Sequence, residues 1–499
     1  MTSNKQKNNS GTLLDPFVDI AVEGAEAIAG LIHLSINKGI ENFINSQKNK
    51  KNVKPVLDNY RHVSKNTINV LAIGYSVSTK KDLFFTSIPW KRHTWILGGS
   101  GFGKSNCFTL LMENAIKSNN ALMQIDPKGT RSEIEQFKKL NKFYKRDYYV
   151  FSEIESSPRT YNPLLGKDNT QRTILIMRSL KWSEVYYQTM AETAIQESLE
   201  EMEEVGVKIS IPNLFRHLLE FKNNKETSGL ISQLRNIVKS PFGKLLEDHG
   251  NAVNMWKIRE EKKSLYVGLS TQGYGEIARS VGKLFINDLQ ITSHQIGITY
   301  GDSHLATQNM MSVFIDEAGS ILYTDFIDYL NKTRSSGFEV YIAMQTPADA
   351  EAIGPQFKDH IIELCSNLIV LKQGNDKYAT EISNCIGTFS TIAVTKMTID
   401  GLDGDRGSKR EVNERLVWPQ TIKDLGIGQA IISSKAPNEL HFVNLRDLRN
   451  ADFFKTPLTI GDITREQIIK EARENPIFID VFNNNTKADE ISLNGGSNE

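Results

Sequence analysis

His93 to Thr109 reads HTWILGGSGFGKSNCFT. The apolar run Trp95-Ile96-Leu97 ends in Gly98, and Gly98 to Ser105 fits G-x-x-x-x-G-K-[ST]. Gly99, Ser100, Gly101 and Phe102 fill the variable positions, and Gly103 precedes Lys104. Cys107 to Met112 then continues as a helix. Strand, glycine-rich turn and helix are the context a phosphate-binding loop requires. The glycines let backbone N–H groups point at phosphate oxygens, and the helix adds its positive N-terminal end. Lys104 would reach the β- and γ-phosphates of ATP, and Ser105 would hold Mg²⁺.

A second stretch supplies the other half of a nucleotide site. Val313-Phe314-Ile315 runs into Asp316-Glu317. An apolar strand ending this way delivers two carboxylates at the carboxyl edge of a sheet. Asp316 would bind Mg²⁺ through water, and Glu317 would polarise the attacking water as general base. Gln345 follows Val340-Tyr341-Ile342-Ala343-Met344, where an amide can sense the γ-phosphate or hold the water.

Outward from these motifs, apolar strand runs alternate with helical patterns. Ile68 to Tyr75 and Asp82 to Ser87 precede the loop; Ala121 to Asp126 and Asp147 to Phe151 follow it. Ser264 to Leu269, Met311 to Ile315, Val340 to Met344, Asn367 to Leu371 and Gln429 to Ile432 supply the rest. The alternation predicts an α/β fold with a mostly parallel, doubly wound sheet. Between Thr170 and about Leu246 strand runs vanish and helical patterns take over, which reads as an inserted all-α domain. Its acidic run Glu197 to Glu204 is most simply a solvated helix face. The expected organisation is a helical extension and basic linker over 1–60 and a nucleotide-binding part over 61–168. The all-α insert follows over 169–250, the second nucleotide-binding part over 251–450 and a helical, polar tail over 451–499.

Composition narrows the class. The 499 residues carry 59 Lys plus Arg against 59 Asp plus Glu, so any nucleic-acid surface must be local. Cys107, Cys365 and Cys385 stand far apart without C-x-x-C and read as buried small apolar residues in a reducing compartment. No secretory signal is visible. Phe17 to Ile36 comes nearest to a membrane span, but Asp19, Glu23 and Glu26 interrupt it. Its cleaner part, Ala27 to Leu34, is shorter than the roughly 20 residues a bilayer needs. It reads as a packed helix or as an amphipathic one lying on a membrane or a partner. Gln47 to Pro55 is a basic linker that could touch acidic lipid or DNA, though a solvated linker is the simpler reading. The histidines show no H-E-x-x-H or Cys/His ligand spacing, and no G-x-S-x-G is present.

The order of parts resembles a known family. The loop with Arg92 before it, IDPKGT at 125–130 and YNPLL at 161–165 match. So do LYVGLSTQGYGEIARSVGKLFINDLQ at 265–290, FIDEAG from Phe314 and TRSSGFEVYIAMQTPADAEAIG from Thr333. Together they are similar to the TraD/TraG type IV coupling proteins, conjugative DNA-pumping ATPases of the FtsK/HerA superfamily, over Ile68 to about Leu445.

The resemblance implies a RecA-like domain that assembles as a homo-oligomer, a hexameric ring with ATP between subunits. A neighbour would supply an arginine to the γ-phosphate, by position Arg334 or else Arg92. It implies DNA held in the ring channel without sequence preference, for which Lys128, Arg279 and Lys283 are candidates. It implies relaxosome and type IV secretion channel proteins as partners. Members of the family usually begin with two membrane-spanning helices, which do not appear here. The expectation is a cytoplasmic chain, peripheral at the membrane through a partner or without that link. A general DNA translocase or packaging motor, and an ATP-switched receptor for protein cargo, are the alternatives.

Overall fold

The computed structural model describes residues 72–77, 80–84, 92–222, 224–250, 252–301, 308–333, 335–399, 402–436 and 438–448. The expected helical extension and basic linker over 1–60, Arg334 and the tail over 451–499 lie outside the described residues. The chain divides into two compact units. The first takes Met1–Asn114, Ser293–Gln308 and Ser312–Arg446; the second takes Ala115–Thr292, Asn309–Met311 and Asp447–Glu499.

The strands among the described residues are β1 (Ala72–Ser76), β2 (Lys81–Phe84), β3 (Thr94–Leu97), β4 (Ala121–Asp126), β5 (Tyr148–Phe151), β6 (Ser264–Gly268), β7 (Met311–Ile315), β8 (Phe338–Met344), β9 (Asn367–Val370), β10 (Thr388–Ile399), β11 (Leu402–Arg415), β12 (Gln429–Lys435) and β13 (Asn438–Leu445).

In the first unit the order is β2-β1-β13-β12-β9-β3-β8-β7. β3 lies between β8 and β9, parallel to both, with Leu97 opposite Met344 and Val370. Every residue of β3, β7 and β8 is buried. Strands covered on both faces are apolar without alternation, which is why the sequence shows them as continuous runs. The far wing is antiparallel: β12 pairs with β9 and β13, and β1 pairs with β13 and β2. The sheet is therefore mixed, parallel around β3 and antiparallel beyond β9. The expected strands near Ile68 to Tyr75 and Asp82 to Ser87 are β1 and β2.

His93 fixes the amino end of β3. Its Nδ1 accepts the Val340 N–H at 3.2 Å, so its Nε2 carries the proton donated to Leu330 O at 3.0 Å. The ring is a neutral buried bridge from β3 to β8 and to the helix Phe326–Thr333. β10 and β11 form a separate two-stranded antiparallel hairpin in which Ile399 faces Leu402.

In the second unit β6 lies between β4 and β5, parallel to both. The helices Asn169–Ser179, Val185–Glu204, Ile211–Phe221, Ser228–Lys239 and Pro241–Leu245 lie where the helical patterns run, and Met255–Glu260 follows beyond them. Polar caps set their starts. Asp168 accepts the Gln171 N–H, Ser210 that of Asn213, and Asn254 that of Lys257. The helix after β6 runs Thr271–Tyr300, with a non-helical Gly275 (φ 49°) inside it. Tyr161 of YNPLL is structural: its hydroxyl donates to Asp288, which also accepts from Lys167 Nζ at 2.6 Å. Tyr161, Lys167 and Asp288 are all buried, and burial together with the Asp288 charge pushes the Tyr161 phenol well above its usual pKa.

Candidate nucleotide site

The glycine loop leaves the carboxyl end of β3. Its backbone first extends the strand: Gly98 N–H donates to Met344 O at 3.3 Å and Gly99 N–H to Lys372 O at 3.1 Å. A Cβ on Gly98 would stand 2.9 Å from Leu371 Cβ, so only glycine fits there. Gly101 (φ 81°) and Gly103 (φ 102°) hold left-handed backbone. The chain thus curls before the helix Lys104–Lys117, where Cys107 N–H donates to Gly103 O at 3.0 Å. Ser100, Gly101 and Ser105 are exposed; Phe102, Gly103 and Lys104 are half-buried. Burial pushes the Cys107 thiol up to about 12, so it packs as a small apolar group under the loop. A loop with Gly101 and Gly103 in left-handed backbone, an exposed Ser105 and a half-buried Lys104 fits a polyphosphate and its cation by donor chemistry.

Asp316 and Glu317 follow β7, a neighbour of β8. Ser312, near the start of β7, donates to Glu339, near the start of β8, so the two strands end on one edge. That edge also carries Gly98, because β8 and β3 are parallel with Met344 opposite Leu97. Phe108, in the helix after the loop, packs edge-on against Phe314 at 5.3 Å between ring centres. The loop and the acidic pair therefore share one edge of one sheet. Asp316 is half-buried and its Oδ1 accepts the Glu317 N–H at 2.9 Å. Glu317, also half-buried, adopts φ 40°, ψ 45°, unusual for a residue with a side chain.

Gln345 sits between the two, exposed at the carboxyl end of β8. Its backbone is pinned: the N–H donates to Asp349 Oδ2 at 2.8 Å, and its carbonyl accepts from Gln373 Nε2 at 2.8 Å. Asp349 caps the helix Pro347–Glu351, and a Cβ on Gly319 would lie 3.0 Å from Asp349 Cβ. The turn after Glu317 is thereby packed on the cap that aims Gln345.

Arg92 is elsewhere. It precedes β3, and its Nη1 donates to Ser366 Oγ at 3.5 Å, just before β9. That is the amino edge of the sheet, opposite the loop. Arg334 is outside the described residues. In the second unit Lys128 is exposed at a turn where Asp126 accepts the N–H groups of Lys128 (2.9 Å) and Gly129 (3.1 Å). Arg279 pairs with Glu276 one turn before it, and Lys283 lies one turn after it.

Sequence reasoning missed the flanks of the loop. Lys372 Nζ lies 5.4 Å from the centre of the Phe102 ring, a cation–π contact. Gly428 N–H donates to Phe102 O at 3.3 Å. Arg446 donates to Glu113 of the loop helix and, through Nε, to Ala72 O at 3.1 Å. Its own carbonyl accepts from Asn106 Nδ2 at 2.9 Å. No local pattern announces any of these, since each joins segments hundreds of residues apart.

Among the described residues, no helix is long and apolar enough to cross a membrane, and no His/Cys/Asp/Glu group has the makings of a metal cluster. Residues 310–426 match the family model described as the TraM recognition site of TraD and TraG. That segment carries Asp316, Glu317, Gln345 and the β10–β11 hairpin. No curated protein sequence matches the chain. Among solved structures, the unbound bacterial conjugative coupling protein TrwBdeltaN70 is 16% identical with a TM-score of 0.55, covering 71% of this chain and 85% of that one. TrwB in complex with ADP and Mg²⁺ is 16% identical with a TM-score of 0.54, covering 75% and 89%. VirB4 of Thermoanaerobacter pseudethanolicus is 12% identical with a TM-score of 0.51, covering 78% and 100%. The chain thus has the α/β P-loop NTPase fold of the conjugative coupling proteins, and across 310–426 it is similar to the TraD/TraG family model.

Proposed function

We propose that this chain is a Mg²⁺-dependent ATPase that moves DNA, acting as a coupling protein that hands DNA, as a nucleoprotein, to a type IV secretion channel. One observation carries the reading: the glycine loop, Asp316–Glu317 and Gln345 all leave the carboxyl ends of neighbouring strands. The coupling protein TrwB, which shares the fold, has been solved with ADP and Mg²⁺ and with a non-hydrolysable ATP analogue.

In this reading the loop N–H groups and Lys104 hold the β- and γ-phosphates. Ser105, and Asp316 through water, would hold the metal, which would supply positive charge to the phosphates. Glu317 takes the proton from the attacking water, and Gln345 orients that water. In a hexameric ring, Arg334 or Arg92 of one subunit would serve the site of the next. Lys128, Arg279 and Lys283 would track the sugar–phosphate backbone in the channel.

The test is ATP hydrolysis with single-stranded DNA, double-stranded DNA and no DNA, with oligomer size measured in parallel. A motor raises its rate several-fold with DNA, and Lys104→Ala abolishes hydrolysis. A second reading has its own support, since the matched family model is described as a recognition site for a protein, TraM. A cargo receptor switched by ATP would show little stimulation by DNA and would keep cargo binding in Lys104→Ala. A chain that hydrolyses no ATP under any of these conditions sinks the motor reading.

A further inference from the structure

On the nucleotide reading, the strand order would give a bound triphosphate a direction. Asp316 and Glu317 follow β7, on the β8 side of β3, so in the proposed reading the γ-phosphate and its metal would face that side. The α-phosphate and the nucleoside then leave towards the other side, over β9 and β12. There the turn Gly426-Ile427-Gly428 enters β12. It abuts the loop: Gly428 N–H donates to Phe102 O at 3.3 Å, and a Cβ on Gly103 would lie 3.5 Å from Gly428 Cα. The turn is also held from behind. Gly428 O accepts the Leu445 N–H at 2.8 Å, Gly426 N–H donates to Gln429 Oε1 at 2.7 Å, and Gln429 Nε2 donates to Asn444 Oδ1 at 3.1 Å.

Ile427 is the tip of this turn and is 76% exposed. A large aliphatic side chain, fixed in place and open to water beside a polyphosphate loop, gains free energy only when something apolar covers it. The face of a nucleobase is flat, apolar and tethered to the α-phosphate on that side.

We infer that Ile427 on the Gly426–Gly428 turn is the platform for the base of the bound nucleoside triphosphate. This rests on the nucleotide reading above. The Gln429 amide is already committed at both ends, so the platform recognises the face of the base and not its edge.

The experiment titrates the full chain with MgATP and, separately, with magnesium tripolyphosphate, which has the phosphates and no base. Ile427→Ser removes the aliphatic surface without adding charge. It weakens MgATP about fivefold, roughly the worth of partly covering an isoleucine, and leaves tripolyphosphate within about twofold. Ile427→Leu restores the ATP affinity. Equal weakening of both ligands, or of neither, overturns the proposal. So does a change of oligomer size with ATP affinity unmoved, which would assign Ile427 to a contact between copies of the chain. A wild-type chain that binds neither ligand defeats the nucleotide site itself, and that result is seen before any variant is made.

Discussion

Glu317 stores strain where the chemistry is placed. A residue with a side chain in left-handed backbone costs of order 1 kcal/mol or more, and at φ 40° Glu317 carries that cost. Asp316, the first residue after β7, accepts the Glu317 N–H on its own carboxylate. Two adjacent carboxylates thus take different positions, as the two roles proposed for them require. Glu317→Gln keeps the shape and removes the base. It should bind MgATP with unchanged affinity and hydrolyse it about 10² to 10⁴ times more slowly, read by nucleotide titration beside a steady-state phosphate assay. The pairing Asp-Glu was legible in the sequence; the left-handed turn was not, because Glu317 has no intrinsic preference for it.

At the scale of elements, the helix Lys104–Lys117 depends on a partner far along the chain. Glu113 (2% exposed) meets Arg446 (8% exposed), and Arg446 also holds Asn106 through its carbonyl and β1 through Ala72 O. One arginine therefore ties the first and third turns of the loop helix to the antiparallel wing. Arg446→Ala removes the guanidinium that Glu113 meets in a buried setting, which should lower stability by about 3–5 kcal/mol in urea unfolding. The double change Glu113→Met with Arg446→Met should recover most of that loss, because an apolar pair leaves no charge uncompensated. The hairpin β10–β11 belongs to this scale too. Asp400-Gly401 between Ile399 and Leu402 is a strong two-residue turn signal in the sequence, and the hairpin is what the strand reading passed over.

At the scale of the whole molecule the question is what a neighbouring subunit adds. Arg92 bonds to Ser366 at the amino edge of the sheet, so within its own subunit it is on the wrong edge to reach the loop. In the proposed ring Arg92 could therefore serve only the loop of the next subunit, and Arg334 is the other arginine proposed for that role. Mixing Arg334→Ala with Lys104→Ala chains tests this. Neither hydrolyses ATP alone. In a random one-to-one ring about a quarter of the interfaces pair an intact loop with an intact arginine, so up to about a quarter of wild-type activity should return. No recovery, with both variants folded and assembling, removes Arg334 from that role.

The sequence by itself determined the glycine loop, the acidic strand end and the buried parallel strands around them. Each of these is written in consecutive residues, through glycine spacing, a terminal carboxylate pair or an unbroken apolar run. Only the tertiary structure decided that Phe102 meets Gly428, that Glu113 meets Arg446, and that the sheet turns antiparallel beyond β9. Those contacts join segments roughly three hundred residues apart or set the direction of a strand whose partner is remote. Their register is fixed by packing and by cross-strand hydrogen bonds formed in space, which leave no period in the chain to read.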